Sequence, residues 1–493
     1  MTYDSLISDQ EKDAGMSQVI VVGAGPVGLW LAAELRLGGV DVTVFEERAE
    51  RNPNSKALTI HPRTIELFDS RGIASPVLAE GMRVDSGHFA VLDSRLDFSE
   101  LDTPYPFTVA LPQARTEEIL EEYARALGVD LHRGVRVSGL EVREDGVEVR
   151  TEDGRQVTAA WVVGCDGVRS TVRTAAGIDF PGSPSTCLGW LADVRLSERP
   201  DPPIISAWGT EGQLLGVPLP GGPYRLVGIG PEDVRTDWPG DLTLDEVRAK
   251  TTAIVGRDWG MHSPIWLSRF GNAARQAERY QAGRVLLAGD AAHQHMPAGG
   301  VGMNVGIQDA ANLGWKLAAT ARGTAPEGLL ESYHVERHHV GGELLRGTQA
   351  QTALMTNFSP DGRQLRALMS ELIAEVPALA TNLARRLSGL RVRYPAPRGA
   401  HPLVGERVPD LPLTEGGRVF AALRPGGFVL LDFAGAVRAQ GVPLHRVAST
   451  RGRPEWANAE AALVRPDGHV AWAGDAAGVP AALRAAGLSA RAR

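Results

Sequence analysis

The sequence predicts an α/β protein: a parallel, Rossmann-like nucleotide-binding domain split along the chain, an antiparallel sheet inserted between its halves, and a small α/β tail. Three observations predict it. The glycine fingerprint GAGPVG at 23–28 sits between a β-branched run and a helical pattern. From Cys187 to about Ser268 the chain changes to extended segments broken by Pro and Gly, such as GWLADVRL, QLLGVPLP and YRLVGIG. At 284–318, RVLLAGDAAHQHMPAGGVGMNVGIQDAANLGWKLA returns to strand, glycine-rich loop and long helix.

Each element follows in order. Residues 1–17 form a polar lead-in, expected to be disordered. Val19 to Val22 suit a buried parallel strand. Gly23 permits a tight turn, Gly25 lets backbone N–H groups approach a pyrophosphate, and Gly28 lets the helix pack on its strand, with Pro26 and Val27 opening that helix. Gly38 and Gly39 end it. The next strand, 42–45, stops at Glu46, with Glu47 beside it, about 20 residues past the first glycine, where a carboxylate takes ribose hydroxyls. NAD and FAD share this fingerprint. A helix from about Pro62 follows, then a second with Thr116 as N-cap. A meander turns at Asp145-Gly146 and Asp153-Gly154, and a strand at 161–163 leads into GCDGVRS at 164–170. A long helical region spans about 326–390. The nucleotide-binding domain is thus expected over 18–186 and 269–400, the inserted sheet over 187–268 and the tail over 401–493.

Bulk properties exclude several classes. A formal net charge of −8 argues against a nucleic-acid partner. No apolar run is long enough to span a bilayer, and the N-terminus has neither the basic nor the apolar region of a secretory signal. The two cysteines, Cys165 and Cys187, cannot build a disulfide framework, and no Cys/His cluster has zinc spacing, so no metal site is expected. A cytoplasmic location fits these readings.

Three motifs in this order, GAGPVG (23–28), GCDGVRS (164–170) and LAGDAAHQHMPAGG (287–300), carry a resemblance. The chain resembles the class A flavoprotein aromatic hydroxylases of the para-hydroxybenzoate hydroxylase type, in particular the polyketide hydroxylase and rifampicin monooxygenase subgroup, over about residues 18–490. The resemblance implies a Rossmann-like FAD-binding domain, an inserted antiparallel-sheet substrate domain and a C-terminal thioredoxin-like domain. It implies one FAD, NAD(P)H as reductant, and O2 as co-substrate. Reduced flavin would form a C4a-hydroperoxide that transfers oxygen to an activated aromatic carbon, so no catalytic side chain is required. Gly289 and Asp290 would close the strand end, with Asp290 on a ribityl hydroxyl. Pro297 would lie near the reactive edge of the isoalloxazine. Gly300, Gly302, Met303 and Asn304 would meet its pyrimidine side at a helix N-terminus. Asp166, Gln113 and Lys56 complete the expected cofactor contacts. Val301 stands where the family usually has Gln. The tail has no cysteine, so it is expected to serve packing or oligomerisation, as in a homodimer, without a redox role.

Other residues carry competing readings. His293 and His295 read as a packed, loop-capping pair in preference to metal ligands or a general base. Arg115 is a phosphate contact or a salt-bridge partner, and Arg63 is expected to pair with Glu66. Phe89, Trp208, Leu215, Pro218 and Trp266 are the expected substrate-lining residues, with sheet core as the alternative. Their apolar character points to a large flat polyketide. Arg195, Arg225 and Arg269 are available for polar substrate groups. The expected activity is aromatic hydroxylation of a polyketide in natural-product tailoring. Baeyer–Villiger or ring-modifying oxygenation, rifamycin-type antibiotic inactivation and a redox-silent FAD binder are the alternatives.

Overall fold

The computed structural model describes residues 18–488, except Ser55 and Ala457. The lead-in expected over 1–17 lies outside the described residues. The central sheet has six strands in the order Gln281–Ala282, Val285–Leu287, Trp161–Gly164, Val19–Val22, Val42–Glu46, Asp130–Arg133. All pairings are parallel except that of the Gln281–Ala282 edge. Val19, Ile20 and Val21 have no exposed surface, as expected of a strand covered on both faces.

One covering layer is the helix Pro26–Leu37 packed on the helix Gly302–Ala321. Their approach needs glycine: a Cβ on Gly314 would lie 2.4 Å from the Cβ of Glu34. The helix expected to be capped by Thr116 begins earlier, at Gln113, with Pro112 as N-cap. Thr116 instead lies in its first turns, its hydroxyl donating to the Pro112 carbonyl at 3.4 Å. The reason is that Pro112 and the pairing of Gln113 N with Ala57 O (3.1 Å) already set the helical start. The long helical region begins at Glu331, later than expected. It divides into Glu331–Thr356, Pro360–Glu375 and Pro377–Leu387, split where Pro360 and Pro377 occupy first-turn positions.

The inserted sheet is wholly antiparallel, in the order Ile205–Gly209, Gly212–Pro218, Tyr224–Ile229, Leu188–Leu196, Met261–Gly271. Strand alternation gives it two apolar faces. Trp190, Ala192, Val194, Leu214 and Leu226 pack beneath the helix Leu244–Val255. Leu191, Val227, Ile229, Trp266 and Phe270 face the three long helices and the loop at 296–298. Each large buried apolar side chain contributes about 1.5–3 kcal/mol of the cohesion between these layers.

The tail holds a four-stranded sheet in the order Leu444–Arg446, Val429–Asp432, Ala461–Val464, Val470–Gly474, its first pairing parallel and the others antiparallel. Buried ion pairs join it to the first domain. Arg63 pairs with Glu66 at 2.9 Å, and Arg407 of the tail takes the other Glu66 oxygen at 2.9 Å. Arg71 forks onto Glu34 at 2.7 and 2.8 Å and donates to the carbonyls of Leu423 and Pro466. Replacing one partner in such a cluster would strand a buried charge.

Candidate active site

The glycine turn at the end of Val19–Val22 is shaped by three different requirements. Gly23 has φ +103°, and a Cβ there would meet the Cys165 carbonyl oxygen at 2.5 Å. A Cβ on Gly28 would lie 1.9 Å from the Gly23 oxygen. Gly25 differs: a Cβ there would meet nothing within 4 Å. The backbone of Gly25 therefore fronts open space at a helix N-terminus, where the macrodipole favours an anion. Pro26 is the buried first residue of that helix. Val27 wedges between two more glycines, since Cβ atoms on Gly289 and Gly306 would come within 2.9 and 2.5 Å of its Cγ2.

Glu46 is buried and its carboxylate accepts from Ala24 N at 2.8 Å and Arg48 N at 3.0 Å, which ties the second strand to the glycine turn. Its remaining lone pairs stay available. Glu47 points elsewhere, into an exposed pair with Arg136 at 3.0 Å. Asp166 accepts from the Ser170 hydroxyl at 2.5 Å and Val172 N at 3.1 Å, so its carboxylate caps the short helix Thr171–Ala175. Gln113 accepts from Ala57 N at 3.3 Å and donates to Glu117 at 2.7 Å. Arg115 is engaged by Glu80 and Glu118, the salt-bridge reading of that residue.

Opposite the glycine turn, Asp290 is exposed just past Val285–Leu287, and its carboxylate has no hydrogen bond or ion pair among the described residues. The Lys56 amine lies within electrostatic reach of it. Burial lowers that amine's pKa, Asp290 raises it, and Arg169 lowers it again. Downstream, Pro297 precedes a turn in which Gly299 and Gly300 have φ +74° and +65°. Side chains there would meet Leu387 and Thr59 at 2.8 Å. The helix Gly302–Ala321 begins at once, and its first backbone N–H groups, from Gly302, Met303 and Asn304, have no intrahelical acceptor. The Asn304 side chain is committed: it accepts from His61 N at 2.8 Å and donates to the Thr59 and Gly300 carbonyls. Met303 is half-buried against the main core.

The two histidines of this loop differ. His293 donates from Nε2 to Asp309 at 2.7 Å, both fully buried, and Arg337 holds the other Asp309 oxygen at 2.7 Å. His295 donates from Nδ1 to the Met296 carbonyl at 2.6 Å. Burial, then the neighbouring His293, lowers its pKa. No group of three His, Cys, Asp or Glu side chains is placed to hold a metal ion among the described residues.

The inserted sheet contributes one face. Leu215 pairs with Val227, and Trp266 with Asp193, on the side that looks toward the long helices. Trp208 lies on the same side, its indole donating to the Met355 carbonyl at 3.2 Å and stacking on Phe358 at 5.6 Å. Phe89 packs against this cluster. Pro218 shares the parity of Leu214 and Gly216 and so falls on the opposite, helix-covered side of its strand. Arg225 forks onto Asp193 at 2.8 and 2.7 Å and donates to the Lys56 carbonyl, bridging the sheet to the first domain. Arg269 is likewise taken, by Glu246.

A model of the FAD binding domain matches residues 16–348, and a model of the aromatic-ring hydroxylase C-terminal region matches residues 401–490. The chain belongs to the FAD-dependent aromatic-ring monooxygenases. It is 45% identical to an uncharacterized aromatic compound monooxygenase of Bacillus subtilis, over 93% of this chain and 94% of that one. It is 44% identical to the rifampicin monooxygenase of Streptomyces venezuelae, over 93% and 96%. The solved structure of OxyS anhydrotetracycline hydroxylase from Streptomyces rimosus superposes with a TM-score of 0.87 at 42% identity, covering 97% of this chain and all of that one.

Three site residues of this monooxygenase escaped sequence reasoning. His61 donates from Nε2 to the Gly299 carbonyl at 2.8 Å, and burial drops its pKa to about 4 in spite of that bond, so the ring is neutral. Asp309 and Arg337 hold the His293 ring. A charge inside the apolar pattern of GIQDAANLGWKLA was the available signal, because a buried carboxylate needs a partner.

Proposed function

We propose that this chain is a monooxygenase that uses NAD(P)H and O2 to hydroxylate an aromatic polyketide on a bound FAD. The observation that carries the reading is the convergence of an open glycine cradle, an unpaired carboxylate and a free helix start on one side of an aromatic sheet face. The cradle fits the cofactor: at Gly25 any side chain would fill the space a pyrophosphate needs. Gly23, Gly25 and Gly28 would hold the pyrophosphate, with Glu46 on the ribose and Asp290 on a ribityl hydroxyl. Lys56 would offset the phosphate charge. Pro297, Gly300 and the backbone N–H groups of Gly302, Met303 and Asn304 would receive the ring system. When bound, FAD supplies the redox chemistry, hydride acceptance from NAD(P)H and oxygen transfer from O2.

The chain's own residues orient and exclude water. The N-terminus of Gly302–Ala321 would present positive potential to a ring system bound beside it and so favour negative charge there. His61 fixes the Gly299 carbonyl and, being neutral, adds no competing charge. Trp266, Leu215 and Phe89 offer a dry apolar surface for a flat substrate. The four-stranded tail sheet supports a thioredoxin-like domain, without cysteine and so without a redox role. A second reading, oxygenation of a rifamycin, is favoured by the identity to the S. venezuelae rifampicin monooxygenase.

The test is oxygen uptake, NAD(P)H oxidation and product mass on FAD-loaded protein, against a panel of anthraquinone, naphthacene and rifamycin substrates. We expect substrate-dependent consumption and a product heavier by one oxygen atom. FAD-loaded protein that leaves NAD(P)H and O2 unconsumed with every panel member would overturn the reading in favour of a redox-silent flavin binder.

A further inference from the structure

A cavity of about 480 Å³ opens between the helices Glu331–Thr356 and Pro377–Leu387. Its inner wall is built from His61, Phe89, Val301, Asn304 and Gln308. It therefore backs onto the glycine loop at 299–300 and the start of the Gly302 helix, and it shares Phe89 with the aromatic face.

The mouth is charged, and the charge is unbalanced. Arg385, Arg386, Arg391 and Arg393 line it, with only Glu343 and Glu406 as acidic lining residues. Glu343 is shared by three guanidinium groups: Arg346, Arg386 at 3.1 Å and Arg391 at 3.8 Å. Glu406 takes Arg393 at 3.3 Å. Arg385 has no ion pair among the described residues. Five arginines thus face two carboxylates in a chain whose net charge is −8. The crowding is felt at Arg391: burial, then Arg386, Arg385 and Arg346, hold its guanidinium below its ordinary value.

The interior supplies a second, independent sign. Gln308 is 6% exposed and lines the cavity, and its side-chain amide makes no hydrogen bond to protein among the described residues. It is therefore free to hydrogen-bond a ligand group in the cavity. Val305, Leu344, Leu383 and Leu387 add apolar wall between polar groups such as Thr348 and Asn382.

We propose that this cleft binds a small organic oxyanion, its acid group on Arg385 and Arg391 at the mouth and its planar body inside against Phe89 and Gln308. This rests on the monooxygenase reading, and the anion has two chemical sources: an aromatic carboxylate or phenolate substrate, or the ribose 2′-phosphate of a nicotinamide nucleotide. Guanidinium forks suit both. Through the bond from His61 to the Gly299 carbonyl, occupancy is transmitted to the loop expected to contact the ring system.

The test is calorimetric titration of the FAD-loaded protein with salicylate, its neutral analogue salicylamide, and adenosine 2′,5′-bisphosphate, followed in parallel by the visible flavin spectrum. We expect at least one of the two anions to saturate and to perturb the flavin band, and salicylamide to bind at least tenfold more weakly than salicylate if salicylate is the one bound. The anion that binds identifies the source. Arg385→Gln/Arg391→Gln should weaken it tenfold or more, and Gln308→Leu severalfold, with FAD affinity unchanged in both. The proposal is overturned if neither anion binds, if the neutral amide binds as well as its acid, or if both variants retain the parent affinity. Calorimetry needs no turnover, so a negative result here is separable from failure of the monooxygenase reading.

Discussion

The Nε2 atom of His293 lies 2.7 Å from the Asp309 carboxylate, and neither side chain is reached by solvent. Asp309 also accepts from Gly289 N at 3.1 Å and from Arg337 at 2.7 Å. One carboxylate therefore ties together the strand end that carries Asp290, the histidine loop and the Glu331–Thr356 helix. Burial pushes the Asp309 carboxyl up, but Arg337 and then His293 outweigh it and hold the group below the usual carboxylate range. An ionised Asp309 can only accept, so His293 carries its proton on Nε2. Its Nδ1 is buried with no hydrogen-bond partner among the described residues. The ring holds the loop, and among the described residues no second protein group is bonded to it to relay a proton.

Asp309→Ala is expected to lose about 3–5 kcal/mol of stability, since it strands Arg337 in the core. His293→Gln, whose amide can offer a donor near the Nε2 position, should lose far less and keep measurable hydroxylation. Urea unfolding and turnover of the two variants check this. Loss of all product from His293→Gln at normal FAD content would assign the ring a proton-transfer role. The depressed Asp309 pKa also contributes stability that is present above the unfolded carboxyl value of about 4 and is lost as pH falls through the folded value.

The fingerprint glycines should separate by mutation. Gly28→Ala places a methyl 1.9 Å from backbone oxygen, so the helix must move, at about 1–3 kcal/mol or more. Gly25→Val meets no protein atom at its Cβ, so the fold should survive with a near-parent melting temperature while FAD is lost. A yellow Gly25→Val protein with parent FAD affinity would remove the cradle from the cofactor site.

Much of this was legible in the sequence, for physical reasons. The fingerprint announces its turn because only glycine tolerates the positive φ of Gly23 and the contact at Gly28. The central strand Val19–Val22 shows as an unbroken β-branched run because both its faces are buried, while the edge strand Asp130–Arg133 carries no such signal. Side-chain commitments were not legible. Glu47 looks equivalent to Glu46 in a string, yet one side chain turns inward to Ala24 N and the next outward to Arg136, the alternation of a strand end. Pro218 reads like its neighbour Leu215, but parity puts it on the other side of the sheet. Trp208 was visible as apolar, but not its bond to Met355, which lies far along the chain.

Acid should destabilise the protein before its carboxylates titrate. Burial lowers His61 to about 4 against the bond to Gly299, and lowers His469 to about 4 against Asp467. The unfolded value is about 6.5, so between pH 6.5 and 4 the unfolded chain binds more protons than the folded one. Stability therefore falls as pH is lowered through that window, by up to about 3 kcal/mol per histidine, and is flat with respect to these groups above pH 7. Unfolding curves at pH 7.5, 6, 5 and 4.5 read the slope. His469→Gln should show a shallower slope; an unchanged one would mean that His469 is protonated in the folded state.

Asp290 is the sharpest single test of the cofactor site. It is exposed at the end of a buried strand and has no protein partner among the described residues, so its removal leaves nothing unsatisfied in the fold. A carboxylate kept there for stability would be paired. Asp290→Ala should therefore leave the melting temperature of the apoprotein within about a degree or two, because surface changes away from such networks stay within about 0.5 kcal/mol. If the carboxylate accepts a ribityl hydroxyl, FAD affinity should drop by about 1–3 kcal/mol, the loss of one charge-assisted hydrogen bond, or roughly five- to 150-fold in Kd. Asp290→Asn should fall between the two, keeping an acceptor oxygen without the charge. Flavin fluorescence titration of the three apoproteins decides the matter. Equal affinities across the series would take Asp290 out of the site, and a large drop in apoprotein stability would mean that the carboxylate serves the fold.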